Sequence, residues 1–302
     1  KDIETADVGF LLGPRINAAG RLKTADSGVK LLISENTEEA EIIAKSLDET
    51  NKERQNIQKE IFNEAVELID SNPYLKDSYT TVLASKNWHQ GVLGVVASKL
   101  LSKYYKPTIL ISLNGSMGKA SGRSIEGFNL YKSVSKCGSL LKKYGGHEMA
   151  VGFSIEKDMI EEFKKTFEEE TRNSIKDPKI FISPLKIDTI VFIDEISKDL
   201  CKEIEMLAPF GFGNSRPVLA AKNVSLPFPP NIVGKNGDHL KMRIKGNKKT
   251  VDAIGFNMGG LISKFDFEVD RFDIAFTLSI NSWNDKKILQ LKLKDICLTE
   301  EQ

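Results

Sequence analysis

Gly145-Gly146-His147-Glu148-Met149-Ala150-Val151-Gly152-Phe153 is the stretch on which the fold turns. Two glycines ahead of a histidine free the backbone for close approach to a ligand and let consecutive amides face outward as an anion-binding nest. The apolar run over residues 149–155 predicts a buried strand. Upstream, residues 130–144 carry a helical pattern that the glycine pair should end, which puts His147 at a junction of helix and strand. Farther out the alternation continues with strand 81–84, helix 92–104, strand 108–113, a Gly-rich segment at 115–122 and an acidic helix at 158–171 offering only a solvated face. Strands alternating with helices predict an α/β domain.

Residues 13–21 are rich in turn formers and are followed by a short helical pattern. No Gly or Pro then occurs before Pro73, so one long helix is expected, capped by Asn36 or Thr37. Its apolar positions thin out between Asp48 and Asn56, the mark of a helix bridging domains through solvent. Pro178 and Pro184 mark a linker. After a helix over 194–207, apolar runs at 218–221, 239–244, 250–255, 274–280 and 288–293 suit a five-stranded barrel of oligonucleotide-binding type, with a β-sandwich as the competing reading. The boundaries are 1–35, 36–72 for the connecting helix, 73–177 for the α/β domain, and 178–302 for the helix and barrel.

The 302 residues carry a net charge of only +1, yet the charge is in blocks. Residues 33–77 hold 5 Lys and Arg against 12 Asp and Glu, whereas residues 79–153 hold 10 against 2. A second basic block, 14 against 8, covers residues 206–299. Basic blocks attract polyanions. Cys137, Cys201 and Cys297 have no paired spacing, which argues against a disulfide framework or a Cys-x-x-Cys site. No apolar run could span a membrane and no signal peptide opens the chain, so a cytoplasmic location is expected. A start at Lys1, with a dense motif by residue 13, suggests a piece of a longer protein.

Three constellations could carry chemistry. His147 with Gly145 and Gly146 is one. His89, beside Trp88 and just ahead of a helix whose first amides favour an anion, is the second. The third is Gly118-Lys119-Ala120-Ser121-Gly122-Arg123-Ser124, where small residues leave room for Arg123 and two hydroxyls to reach a phosphate. It is no P-loop, since Leu113 and Ala120 stand where Gly and Ser or Thr are needed, and Gly211-Phe212-Gly213 lacks the third glycine of a dinucleotide fingerprint. In the second basic block, Lys241, Arg243, Lys245, Lys248 and Lys249 could track a backbone while Phe256 or Trp283 stacks bases.

Trp88-His89-x-Gly91-Val92-x-Gly94-Val95-Val96-Ala97, Gly122-Arg123-Ser124-Ile125-x-Gly127-Phe128 and the Gly145-Gly146-His147 element together resemble RecJ exonucleases of the DHH phosphoesterase superfamily. Residues 13–21 resemble the segment that closes the family's catalytic half. Residues 209–214 with Pro217 resemble the approach to its oligonucleotide-binding barrel. The resemblance implies 5′ to 3′ cleavage of single-stranded DNA with Mn²⁺ or Mg²⁺ held by Asp and His ligands, including an adjacent Asp-His-His run. That run is missing, so no metal ligand is expected in this chain and these residues alone are expected to be inactive. It also implies that His147 and His89 sit near the scissile phosphate, with Arg15, Arg21, Trp88, Ser121, Arg123, Ser124, Gly145 and Gly146 around the strand. Lys241 and Arg243 would grip it on the barrel. Expected partners are single-stranded DNA, the DHH half in cis and, as a candidate, a single-strand-binding protein. A relative acting on short oligonucleotides or cyclic dinucleotides, or a non-catalytic binding module, is the alternative.

Overall fold

In the computed structural model, which describes residues 3, 5–211, 213–283 and 286–299, the chain opens as a run of helical turns. α1 (Thr5–Asp7) passes through a π-helical turn, Val8–Leu12, into α2 (Gly13–Leu22), and α3 (Asp26–Ile33) follows. The turn formers of residues 13–21 are thus helical: Pro14 lies in the first turn, where its missing amide has no helical partner to lose.

The long helix α4 (Thr37–Asp70) forms as expected, with the Asn36 side chain accepting from the Glu39 amide at 3.1 Å. Its polar middle is not a solvent bridge. Thr50, Asn51 and Gln58 are buried there, and Arg54 ties the helix to itself by donating to Asn51 at 2.7 Å and Gln58 at 3.0 Å. Polar residues that satisfy one another can pack against α2 as apolar ones would, which is why the pattern misleads. A short helix, α5 (Pro73–Asp77), leads into the sheet.

β1 (Thr81–Ser85) and β2 (Thr108–Asn114) run parallel, joined by α6 (Leu93–Tyr104). β3 (Met117–Arg123), α7 (Leu130–Lys136), β4 (Leu141–His147), β5 (Ala150–Glu156) and α8 (Ile160–Ser174) complete a mixed sheet in the order β1-β2-β3-β5-β4. One face carries Ile109, Ile111, Ala120, Val151, Phe153 and Ile155 against α7 and α8. Phe163 and Phe167 of α8 are fully buried in that layer, each a side chain whose loss costs about 3–5 kcal/mol. Glu168, also buried, accepts from the Tyr79 and Thr80 amides and from the Thr80 hydroxyl. The acidic helix therefore has a built inner face and is more than a solvated surface. On the other face, Leu83 and Leu110 pack under α6 and the end of α4.

Two expectations fail here for one reason. Most of the Gly-rich segment, residues 117–123, is a strand, and residues 141–147 are a strand instead of the end of a helix, because pairing with β5 on both sides outweighs local propensity. Gly118 and Gly122 face the packed side, where an added β-carbon would come within 2.7 Å of Ile111 and 2.8 Å of Val151. Packing requires these glycines; they do not make room for a ligand. His147 consequently ends a hairpin strand and does not follow a helix.

The chain divides into two compact units, residues 1–183 and 184–302. The second has β6 (Thr189–Ile190), α9 (Lys198–Glu205), β7 (Leu219–Val224), β8 (Asn231–Val233), β9 (His239–Lys245), β10 (Thr250–Gly255), β11 (Phe272–Trp283) and β12 (Lys286–Leu298) in one sheet, ordered β6-β7-β11-β12-β10-β9-β8. The five expected strands are β7, β9, β10, β11 and β12. The ladder stays open, with a single bridge between Ser225 and Lys245 drawing the end of β7 to β9. Inward residues such as Leu240, Met242, Ile244, Phe272, Phe276 and Leu291 form its core.

Candidate nucleic-acid interface

Alternation along the strands of the first sheet sends Lys119, Ser121 and Arg123 of β3 to the α6 face, together with Ala150, Gly152 and Ser154 of β5 and Lys143, Gly145 and His147 of β4. The registers align them in three rows across the strands: Arg123, Ala150 and His147; Ser121, Gly152 and Gly145; Lys119, Ser154 and Lys143. α6 packs on β2 and β3, and residues of β5 and β4 on this face remain exposed or partly exposed. At Gly145 an added β-carbon meets nothing, and at Gly152 it meets only the Ala120 carbonyl, at 3.6 Å. The middle row is therefore a bare floor that the fold does not need for its own packing.

Beside this floor lies a cavity of about 490 Å³ lined by Arg21, Lys23, His89, Lys119 and Ser121 among others. Arg123 is joined to it through Ser121 of its lining. The guanidinium donates to the Gly122 carbonyl at 2.7 Å and the Ser121 hydroxyl at 3.4 Å, and it lies so close over Gly94 that a β-carbon there would be 2.6 Å from Nη2. Burial, and then the positive charge of Arg21, hold Arg123 below the usual guanidinium value. Arg54 is lowered by the same two causes in the same order. Among the described residues none of these three arginines makes an ion pair. Guanidinium groups gathered without a carboxylate form a site that an anion would stabilise.

The two histidines are held alike. Nδ1 of His89 accepts from the Gly91 amide at 3.1 Å, and Nδ1 of His147 accepts from the Met149 amide at 3.2 Å. A ring accepting at Nδ1 carries its proton at Nε2, so both present an N–H donor outward. The loop bearing His89 is pinned from beneath: Glu64 accepts from the Trp88 indole at 2.9 Å and the Ser85 hydroxyl at 3.1 Å, and Ser112 donates to the Trp88 carbonyl at 2.5 Å.

Arg21, His89, Ser121, Arg123, Gly145 and His147 thus stand around one cavity and the open face beside it in the first unit, and four other expected site residues are placed differently. Trp88 is 3% exposed and supports the loop from within. Ser124 is also buried, its hydroxyl donating to the Phe128 carbonyl at 2.6 Å, which makes it a turn residue. Arg15 is drawn to Asp48 of α4 at 2.9 Å. Gly146 is paired into β4 with φ +147° and serves the hairpin backbone. Arg54 was missed because a lone cation on a long charged helix carries no signal in sequence.

In the second unit Lys241, Arg243 and Lys245 point outward together from β9. Arg243 is partly neutralised by Asp252 at 2.9 Å, and Lys249 is committed to the carbonyls of Asp194 and Ile196. Lys241 and Arg243 line a cavity of about 630 Å³ with Phe228 and Asn231. Phe228, 65% exposed, sits in a proline-rich stretch that conceals it from strand-based reasoning. Phe256 is half-exposed and edge-on to His239 at 5.1 Å. The side chain of Trp283 and residue Phe212 lie outside the described residues. No group of three or more His, Cys, Asp or Glu that could hold a metal ion occurs among the described residues. No described helix is long and apolar enough to cross a membrane.

A mixed α/β unit with a glycine floor on one open face, followed by an open β-sheet unit, is the combination of a DHHA1 domain and an oligonucleotide-binding (OB) domain. Residues 76–173 match the DHHA1 domain and residues 187–295 the RecJ OB domain, and the chain belongs to the RecJ family. It is 36% identical over 297 residues to the single-stranded-DNA-specific exonuclease RecJ of Bacillus subtilis, covering 98% of this chain and 37% of that protein. The Escherichia coli protein of the same name is 30% identical, with 97% of this chain and 52% of that protein covered. The chain thus spans about a third to a half of the curated relatives it matches. The crystal structure of RecJ in complex with Mn²⁺ from Thermus thermophilus superposes with a TM-score of 0.82 at 25% identity, over 99% of this chain and 42% of that one.

Proposed function

We propose that this chain holds the substrate of a 5′ to 3′ single-stranded-DNA exonuclease, a phosphodiester hydrolase of DNA repair and recombination. Its Mn²⁺ or Mg²⁺ ligands would lie outside these 302 residues. What supports the reading is the cluster of Arg21, Arg123 and Arg54 without a carboxylate, opening on a bare floor between two outward histidine N–H groups. In this reading Arg123 and Arg21 grip phosphates, and His89 and His147 donate to oxygens near the scissile one. These groups position and neutralise; the attacking nucleophile comes from the metal-bearing half in the longer protein. Lys241 and Arg243, with Phe228, would form a separate grip on the second domain. Single-stranded DNA is the proposed ligand, a single-strand-binding protein a partner, and the cytoplasm the location.

The test is equilibrium binding of the chain to a labelled oligothymidylate across salt concentrations. Arg123→Ala is expected to weaken binding to every sequence and to shallow the log–log salt slope by about 0.7, the value for one phosphate contact on a single strand. An unchanged slope would overturn the reading.

A further inference from the structure

The third row of the open face is Lys119, Ser154 and Lys143, of which Lys119 also lines the cavity with Arg21 and His89. Lys119 and Lys143 are both exposed, both stand opposite Ser154 in register, and among the described residues neither makes an ion pair. Their neighbour Lys142 behaves differently, with its ammonium bound to Glu156 at 2.7 Å. Four residues separate the Arg123 row from the lysine row on each strand, a span of about 13 Å at strand rise. Between them lies the row of Gly152 and Gly145, where the floor has no side chain to obstruct a ligand. The surface does not end at Lys119, which also borders a second cavity of about 440 Å³ together with Lys86 and Asn114.

The geometry points to a second phosphate clamp, formed by Lys119 and Lys143 across Ser154, that holds the single strand about two nucleotides along from the phosphate at Arg123. Ser154 stands between the two lysines in register and offers a hydroxyl as a further donor. The glycine row is the trough over which the intervening sugar and base pass. This assignment rests on the reading of the cleft as a DNA-gripping surface, and it adds the direction of the strand: along β3, β5 and β4, from the Arg123 row toward the lysine row.

The experiment measures binding of the chain to an oligothymidylate of about 16 nucleotides over a range of salt. Lys143→Gln is expected to shallow the slope by about 0.7, and Lys119→Gln with Lys143→Gln together by about 1.4. Lys143→Arg should restore the single-variant loss, and Lys142→Gln should leave the slope at the wild-type value. The clamp is overturned if Lys143→Gln keeps the wild-type slope, or if Lys142→Gln shallows it equally, which would mean diffuse surface charge. A normal loss for Arg123→Ala with no loss for Lys143→Gln removes the clamp alone; no loss for either removes the reading of the cleft as well.

Discussion

Arg21 and Gly91, seventy positions apart, are locked together: the guanidinium of Arg21 donates to the Gly91 carbonyl at 3.3 Å, and the backbone of Arg21 occupies the place a side chain at Gly91 would take. α2 is seated directly on the turn that begins α6, and the cavity holding Arg21 and His89 exists because the two backbones can approach this closely. Gly91→Ala is therefore expected to push α2 away, with a stability loss of about 1–3 kcal/mol and at least a tenfold loss of oligonucleotide affinity, about 1.4 kcal/mol. Denaturant melts and binding titrations on the same variant check both. Wild-type affinity in a folded Gly91→Ala protein would show that Arg21 takes no part in the grip.

Adjacent glycines of β4 should answer oppositely to substitution. Gly146 sits at φ +147°, and a β-carbon there would collide with the Ala150 carbonyl; Gly146→Ala should cost about 1–3 kcal/mol. Gly145 has ordinary strand geometry and open space, so Gly145→Ala should fall within about 1 kcal/mol of wild type and toward the stabilising side. Thermal denaturation of the pair decides; equal destabilisation would contradict the geometry of this hairpin.

Alkaline conditions should loosen the first unit. Burial, and then the charge of Glu170, push the Cys137 thiol from 9.0 up to about 11. Burial, and then the hydrogen bond to Asp70, push the Tyr104 phenol from 10.0 up to about 12. Both are acids kept neutral by the fold, so their contribution is complete below the unfolded values and is lost as the pH rises through 9.0 to about 11 for Cys137, and through 10.0 to about 12 for Tyr104. Urea midpoints taken between about pH 8 and 11 should fall, and the fall should be smaller in Cys137→Ser, which has no thiol to ionise. Parallel curves for the two proteins would refute the role of Cys137.

Much of the fold was legible because local and long-range preferences agree. The uninterrupted helix after Asn36 and the five core strands of the second unit follow from caps and alternation. Where β5 imposes pairing on both neighbours, as at Gly118 to Gly122 and at Leu141 to Tyr144, the sequence looks like loop and helix, and only a partner strand reveals otherwise. The site residues show the same division. Arg123 and His147 could be picked out by motif, but that Trp88 faces inward depends on Glu64, more than twenty residues upstream. Nor does any motif disclose that Arg15 is held by Asp48 while Arg21 is left without a carboxylate.

β4 is the last strand of its sheet, so one side of its backbone has hydrogen-bonding groups that no neighbouring strand takes up. A flat, uncharged margin of this kind invites a second molecule to add its own strand and begin an aggregate. The charge of Lys143, which among the described residues has no ion-pair partner such as the one Glu156 gives Lys142, makes two such margins repel. Lys143 would then protect solubility at high protein concentration as well as hold a ligand, and an apolar replacement there would be expressed first as turbidity.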